Sequence, residues 1–315
     1  MVVQNMKKRH PYKLTFALGG GGARGALQVG ALRALLEADL RPDLMVGTSV
    51  GAVNAVFLAM HGFTWQALED LKVAWFAAAK ADLFPANIAW LTLRVFFNRI
   101  HTRPYQRLKD FFISQGVSPD LRFGDLPHTP VILVSADLNS SQPVYYGNDL
   151  HASVLDGLLA STALPPWVHP LERDGQFLID GGVVSPLPIE PALAHGAREI
   201  IALDLADSRQ VIPAEANGFG PFLSKLINTM ERRQVEMEMT LAAGRGVPVW
   251  HMVLKGEQPV AIWDFNHTPE LIEQGYAIAC REIAQWKPRR QPVWRTWLAR
   301  LTRIIKTLPG RSQPG

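Results

Sequence analysis

Residues 13–25 read KLTFALGGGGARG, a short apolar run that breaks into four glycines. Such a run ending in glycine fits a buried strand entering a loop. Beyond the loop, Ala26, Leu27, Val29, Gly30, Ala31, Ala34, Leu35 and Ala38 recur at helical spacing, so residues 25–38 predict a helix. The pattern then repeats. Residues 44–46 form a second short strand after Pro42, and residues 50–60 a nearly all-apolar helix expected to be buried on all sides. Two strands, each followed by a buried helix, imply a parallel α/β sheet.

Further strands are expected at 130–137, 143–146, 176–179, 199–205 and 247–254, and further helices at 63–80, 105–115, 153–160, 221–243 and 270–286. The fold class read from this alternation is α/β: three layers, α/β/α, around a mainly parallel central sheet. Of the 315 residues, 48% are hydrophobic and 19% charged, enough apolar side chain to exclude a disordered chain. One cysteine, Cys280, excludes an intramolecular disulfide and any multi-cysteine zinc or iron–sulfur site, and it reads as a buried thiol in a reducing compartment. No cofactor and no metal are expected.

The net charge of +4 is unevenly spread. Eight of the 32 basic residues and none of the 28 acidic ones fall in 287–315, so the remainder is slightly acidic and no nucleic-acid role is read. In that extension Val293, Trp294, Trp297, Leu298, Leu301, Ile304, Ile305 and Leu308 recur at helical spacing, with Arg295, Arg300, Arg303 and Lys306 mostly opposite. A basic amphipathic helix of this kind suits an anionic membrane surface, and equally a terminal helix docked on its own domain. No secretory signal is read at the N-terminus, and the longest uncharged run, 44–60, is broken by Gly47, Thr48, Ser49, Gly51 and Asn54. The expectation is a cytoplasmic protein, peripheral at the inner face of the membrane.

Three segments at strand ends carry candidate chemistry. Gly19–Gly22 with Ala23, Arg24 and Gly25 lets backbone N–H groups converge on an anion, either a phosphate or a transient oxyanion. Gly20-x-Gly22-x-x-Gly25 also matches the dinucleotide fingerprint, but Asp43 precedes its strand where an acidic residue should end one. Gly47-Thr48-Ser49-Val50-Gly51 fits a strand-to-helix turn that exposes a serine nucleophile, or a serine that merely caps the helix. Asp180-Gly181-Gly182 fits a carboxylate delivered to a strand's C-terminal end, or an ordinary turn.

Together the three segments resemble the patatin-like phospholipase family of serine acyl hydrolases. Gly20–Gly25 is similar to the family's glycine-rich oxyanion motif, Gly47–Gly51 to its nucleophile elbow, and Asp180–Gly182 to its Asp-Gly-Gly motif. Ala160-Ser161-Thr162-Ala163-Leu164-Pro165-Pro166 resembles a structural loop beside the site. The resemblance implies a catalytic dyad of Ser49 and Asp180, an oxyanion hole at Gly20, Gly21 and Gly22, and support from Arg24, Gly25, Gly47, Gly51, Gly181 and Gly182. It assigns 13–205 to the acyl hydrolase domain, 206–286 to the C-terminal part of the same α/β domain, and 287–315 to the basic extension. The implied substrate is a fatty-acyl ester of a phospholipid or lysophospholipid. Residues 81–100, rich in aromatic and aliphatic side chains, read equally as a candidate lid over an acyl pocket and as core packing between helices. The alternatives are a Ser-Asp-His esterase using His195, His251 or His267, with His169 supporting a loop, and a non-catalytic phosphate- or nucleotide-binding module.

Overall fold

The two strand–helix units lie at the centre of the molecule. The structure is a computed structural model that describes residues 12–81, 103–165, 167–207 and 219–286. Its strands are β1 (Thr15–Leu18), β2 (Leu44–Thr48), β3 (Val131–Asp137), β4 (Gln142–Tyr146), β5 (Leu171–Arg173), β6 (Gln176–Asp180), β7 (Ile200–Ala206) and β8 (Val249–Lys255). The helices are α1 (Ala26–Glu37), α2 (Val50–His61), α3 (Trp65–Lys80), α4 (Arg103–Ser114), α5 (Val154–Ser161), α6 (Ile189–Ala194), α7 (Phe219–Gly244) and α8 (Thr268–Trp286).

All eight strands form one sheet in the order β5-β6-β3-β2-β1-β7-β8, with β4 added to β3. Strands β3, β2, β1, β7 and β8 are parallel, and β4, β5 and β6 pair antiparallel. Side-chain alternation splits the core between the two faces. Phe16, Leu18, Met45 and Leu133 pack with α1, α2, α3 and α8, whereas Ala17, Leu44, Val46, Ile132 and Val134 pack with α6 and α7. This is the expected three-layer α/β/α architecture with a mainly parallel sheet.

One pairing positions the site. Residues 131–134 of β3 pair with β2, and residues 135–137 pair with β6. Strand β4 overlaps both stretches, so it occupies the opposite edge. Strands β2 and β6 therefore meet end to end on one edge of β3, with Thr48 opposite Val134 and Asp180 opposite Ser135.

Two expectations need correction. The helix after Ser49 is not buried all round: Val50, Val53, Phe57 and Met60 are half-buried along one stripe. Strand β5 was not foreseen, because three residues with two charged side chains carry no apolar signal. The candidate lid, from residue 82 on, and the 287–315 extension lie outside the described residues.

Helices α1 and α8 cross backbone to backbone through two glycines. A Cβ on Gly30 would sit 1.9 Å from the Ile272 carbonyl oxygen, and one on Gly275 would sit 2.0 Å from that of Leu27. Neither oxygen can yield without parting the helices. Gly30→Ala is therefore expected to destabilise the fold by about 3 kcal/mol, read from the midpoint of urea unfolding.

Candidate active site

Ser49 joins β2 to α2 with φ 54° and ψ −126°, a conformation that costs a non-glycine residue on the order of 1–3 kcal/mol. Neighbouring bonds hold it there. Its N–H donates to Ser161 Oγ at 3.0 Å, the Ser161 hydroxyl donates to the Val134 carbonyl at 2.7 Å, and the Ser49 carbonyl accepts the Ala52 N–H at 2.9 Å. The Ser49 side chain makes no cap bond to α2, and the Thr48 hydroxyl is taken by the Ser185 carbonyl at 2.8 Å. The helix-cap alternative fails, which leaves the Ser49 hydroxyl unspent at the helix N-terminus. Gly51 is required by close approach, since a Cβ there would lie 2.1 Å from the Leu18 carbonyl oxygen.

Asp180, at the end of β6, is 3% exposed. Its N–H donates to the Ala163 carbonyl at 3.0 Å, and its Oδ1 accepts the Gly182 N–H at 2.8 Å. Burial pushes its pKa up to about 6, while the Ser49 hydroxyl and then the Gly182 amide pull the other way. Oδ2 is buried without a hydrogen bond of strict geometry. The serine therefore bears on the carboxylate without closing a full bond.

The glycine loop lies across Ser49. A Cβ on Gly20 would be 3.2 Å from the Ser49 Cβ. The Gly20 N–H, however, donates to the Pro186 carbonyl at 2.9 Å, and the Gly19 N–H to that of Leu203 at 3.1 Å. The Gly21 and Gly22 amides make no backbone hydrogen bond among the described residues. Gly22 has φ +57°, a left-handed conformation suited to glycine, and a Cβ there would meet the Ile262 carbonyl at 2.2 Å. Arg24 is buried; its Nε donates to the Gly21 carbonyl at 3.2 Å and its guanidinium pairs with Asp207 at 3.5 Å. Because a peptide unit is planar and trans, fixing the Gly21 C=O also fixes the Gly22 N–H on the opposite side.

A buried polar chain that sequence reading missed supports the loop from below. Gln28 Nε2 donates to the carbonyls of Gly19 at 2.9 Å and Leu203 at 3.2 Å. Its Oε1 accepts from Asn54 Nδ2 at 2.9 Å, and Asn54 Oδ1 accepts from Trp75 Nε1 at 2.9 Å. Polar residues facing inward on two otherwise apolar helices were the available signal.

Ser49, Asp180 and Gly22 open into a cavity walled by α2, α3, α4 and α5. Apart from Ser49, Asp180, Gln115, Thr162 and Gly22, every described lining side chain is aliphatic, aromatic or thioether. No histidine among the described residues lines it. His195 bonds the Pro191 carbonyl and Asn148, both at 2.6 Å, His251 bonds Asp204 at 2.8 Å, His267 pairs with Asp264 at 3.5 Å, and His169 bonds the Pro170 carbonyl at 3.1 Å.

Residues 16–193 match the family model described as Patatin-like phospholipase. Similar curated proteins include mouse patatin-like phospholipase domain-containing protein 6, 29% identical over 194 residues, covering 61% of this chain and 13% of the relative. Another is the lysophospholipase nte1 of Aspergillus terreus, 27% identical over 223 residues, covering 68% of this chain and 13% of the relative. The chain thus spans about an eighth of the length of these relatives. Among solved structures, VipD from Legionella pneumophila is similar at a TM-score of 0.47 and 13% identity, covering 88% of this chain and 67% of that one. With more than half of its residues matched, the chain belongs to the patatin-like phospholipase family.

Proposed function

We propose that this protein hydrolyses fatty-acyl esters of phospholipids or lysophospholipids through a Ser49–Asp180 dyad. The observation that carries the reading is an unspent serine hydroxyl beside a desolvated carboxylate at the head of an apolar cavity. As the Ser49 oxygen attacks the ester carbonyl carbon, its proton passes to Asp180. The carbonyl oxygen becomes an oxyanion, received by the Gly21 and Gly22 amides and the N-terminal end of α2. When the tetrahedral intermediate collapses, the departing alcohol takes the proton from Asp180. Water then attacks the acyl-serine, giving a proton to Asp180, and the fatty acid leaves as Ser49 recovers its hydrogen.

One adjustment to the implied site is suggested by the hydrogen bonds. Gly20 shapes the loop against Ser49 while its amide is held by Pro186, so we assign the donor role to the amides of Gly21 and Gly22 in place of three glycines. Arg24 keeps its supporting place as a positioning residue that sets the Gly22 amide. A carboxylate at an ordinary pKa is a poor base for serine; raising it to about 6 strengthens it while leaving it ionised at neutral pH.

The cavity follows α2 from Val50 to Met60, about 15 Å at 1.5 Å per residue. That length holds roughly ten to twelve carbons of an extended chain built from ~1.5 Å bonds. For soluble esters, kcat/KM is expected to rise about fourfold per added methylene until the chain reaches this length, then to level off. A flat profile would remove the acyl-chain assignment.

A fluorophosphonate probe is expected to label the wild-type protein at Ser49 and to leave Ser49→Ala unlabelled. Labelling of both, or of neither, would end the hydrolase reading. Substituting each histidine with Ala in turn should leave most activity; loss of nearly all activity at one of them would restore the triad.

The pH dependence has a fixed sign. The dyad needs ionised Asp180, so kcat/KM should fall tenfold per pH unit below about 6. Stability runs the opposite way. Well below the unfolded value, at about pH 3, the carboxyl is protonated in folded and unfolded chains alike, and above about 6 the cost of holding it ionised and buried is complete. Asp180→Asn should therefore stabilise the protein at pH 8 by on the order of 3 kcal/mol and by almost nothing at about pH 3, while abolishing turnover. Equal unfolding midpoints for the two proteins at pH 8 would contradict a desolvated carboxylate.

A further inference from the structure

Helix α7 is longer than the sheet it covers. Its 26 residues span about 39 Å, whereas β7 and β8, with seven residues each, span about 23 Å. It links two parallel neighbours, so it runs back against them and begins at the strands' C-terminal edge, where Ser49 and the glycine loop lie. Among its described side chains the buried ones come late, at Val235, Glu238 and Ala242. Glu238 fastens this half, accepting the Ser185 hydroxyl and the Glu190 N–H, each at 2.7 Å.

The N-terminal half projects and is apolar on its outer side. Phe222, Leu226 and Met230 are 56%, 44% and 58% exposed. They follow one another at i+4, hence about 40° apart on a single stripe. Ile227 flanks them at 48%, and Val183, directly after the Asp-Gly-Gly turn, is 49% exposed with its carbonyl accepting from Gln234 of α7 at 2.8 Å. On the opposite side of the helix, Glu231 feels the charges of both Arg24 and Asp180. Scattered exposed apolar residues need no account, but a stripe of large ones at the catalytic edge does.

The charges beside the stripe favour one occupant. Lys225 stands on the same half of the helix, and Arg232 and Arg233 open the other half, with Glu236 the exposed acid beyond them. Arg232 is bonded to Asp204 at 2.7 Å and Arg233 to Glu236 at 3.1 Å, while the Lys225 ammonium pairs with none of the described residues. An apolar stripe edged by cations fits a bilayer surface bearing anionic head groups. We propose that the projecting half of α7, together with Val183, docks the protein on such a lipid surface and sets the mouth of the cavity against it. This surface involves no residue of 287–315 and requires no turnover, so it stands or falls independently of the hydrolase reading.

The test is sedimentation of the full chain with phosphatidylcholine vesicles, with and without phosphatidylglycerol. The triple variant Phe222→Ser, Leu226→Ser, Met230→Ser should lose at least tenfold in partitioning while hydrolysing a soluble short-chain ester within twofold of wild type. Lys225→Glu, which leaves every apolar contact in place, should lose about fivefold or more on the anionic vesicles and almost nothing on the neutral ones. Ser49→Ala should bind vesicles as wild type does. A triple variant that sediments like wild type would overturn the proposal. So would a wild-type dimer that the triple variant dissolves with vesicle binding unchanged, which would give the stripe to a second copy of the chain.

Discussion

One edge of β3 pairs with β2 through residues 131–134 and with β6 through 135–137, and both strands end at that junction. Strand β2 runs parallel to β3 and β6 antiparallel, so their C-terminal ends converge from opposite directions. That convergence brings Ser49 beside Asp180 across 131 positions of sequence. Because side chains alternate along a strand, a slip of β6 by one residue would turn Asp180 to the other face of the sheet. Side chains lock the register. The Ser135 hydroxyl donates to the Ile179 carbonyl at 2.8 Å, and Asp137 accepts the Phe177 N–H at 3.2 Å. Beyond the strand, a Cβ on Gly181 would lie 2.4 Å from the Val134 carbonyl oxygen, so only glycine lets the chain leave β6 at that angle.

The site holds two unfavourable features, a strained serine backbone and a buried carboxylate, and each is held by groups that do no chemistry. Ser161, the last residue of α5, binds the Ser49 amide, and Ala163, two residues on, binds the Asp180 amide. A single segment at the end of α5 therefore fixes both Ser49 and Asp180. Beneath the glycine loop, the Gln28–Asn54–Trp75 chain keeps two helices and a cavity wall in register with the loop's carbonyls. Fully satisfied buried networks of this kind cost little when complete and much when cut, because every remaining member is left without a partner.

The parallel strands and the helices between them were legible because each is an apolar run of the right period and is bounded by glycine, proline or a polar residue. The three motif segments were legible for a related reason: close approach and left-handed backbone demand glycine, and glycine is visible. What the sequence left open was orientation. Ser49 looked able either to cap α2 or to present its hydroxyl, and only the missing cap bond and its unusual backbone separate the two. Gly20, Gly21 and Gly22 were indistinguishable as donors, and it is Pro186, outside every motif, that occupies one of them. The Ala160–Pro166 block was read as a supporting loop without showing that Ser161 is its working member.

Helix α2 shows why hydrophobicity alone misjudged its surroundings. A side chain facing the core and one facing an apolar cavity obey the same preference for leaving water, so a helix that does both reads as buried all round. The distinction has a geometric consequence. Since α2 begins at Ser49 and the cavity runs along it, the hydrolysis we propose would place the acyl chain down the helix. The alcohol portion would then point back over the glycine loop. Under that proposal chain length would be measured by a rigid wall of helix, whereas the head group would meet a surface of loops and solvent. Selectivity would then reside in the chain, and recognition of the head group would pass to whatever surface presents the lipid.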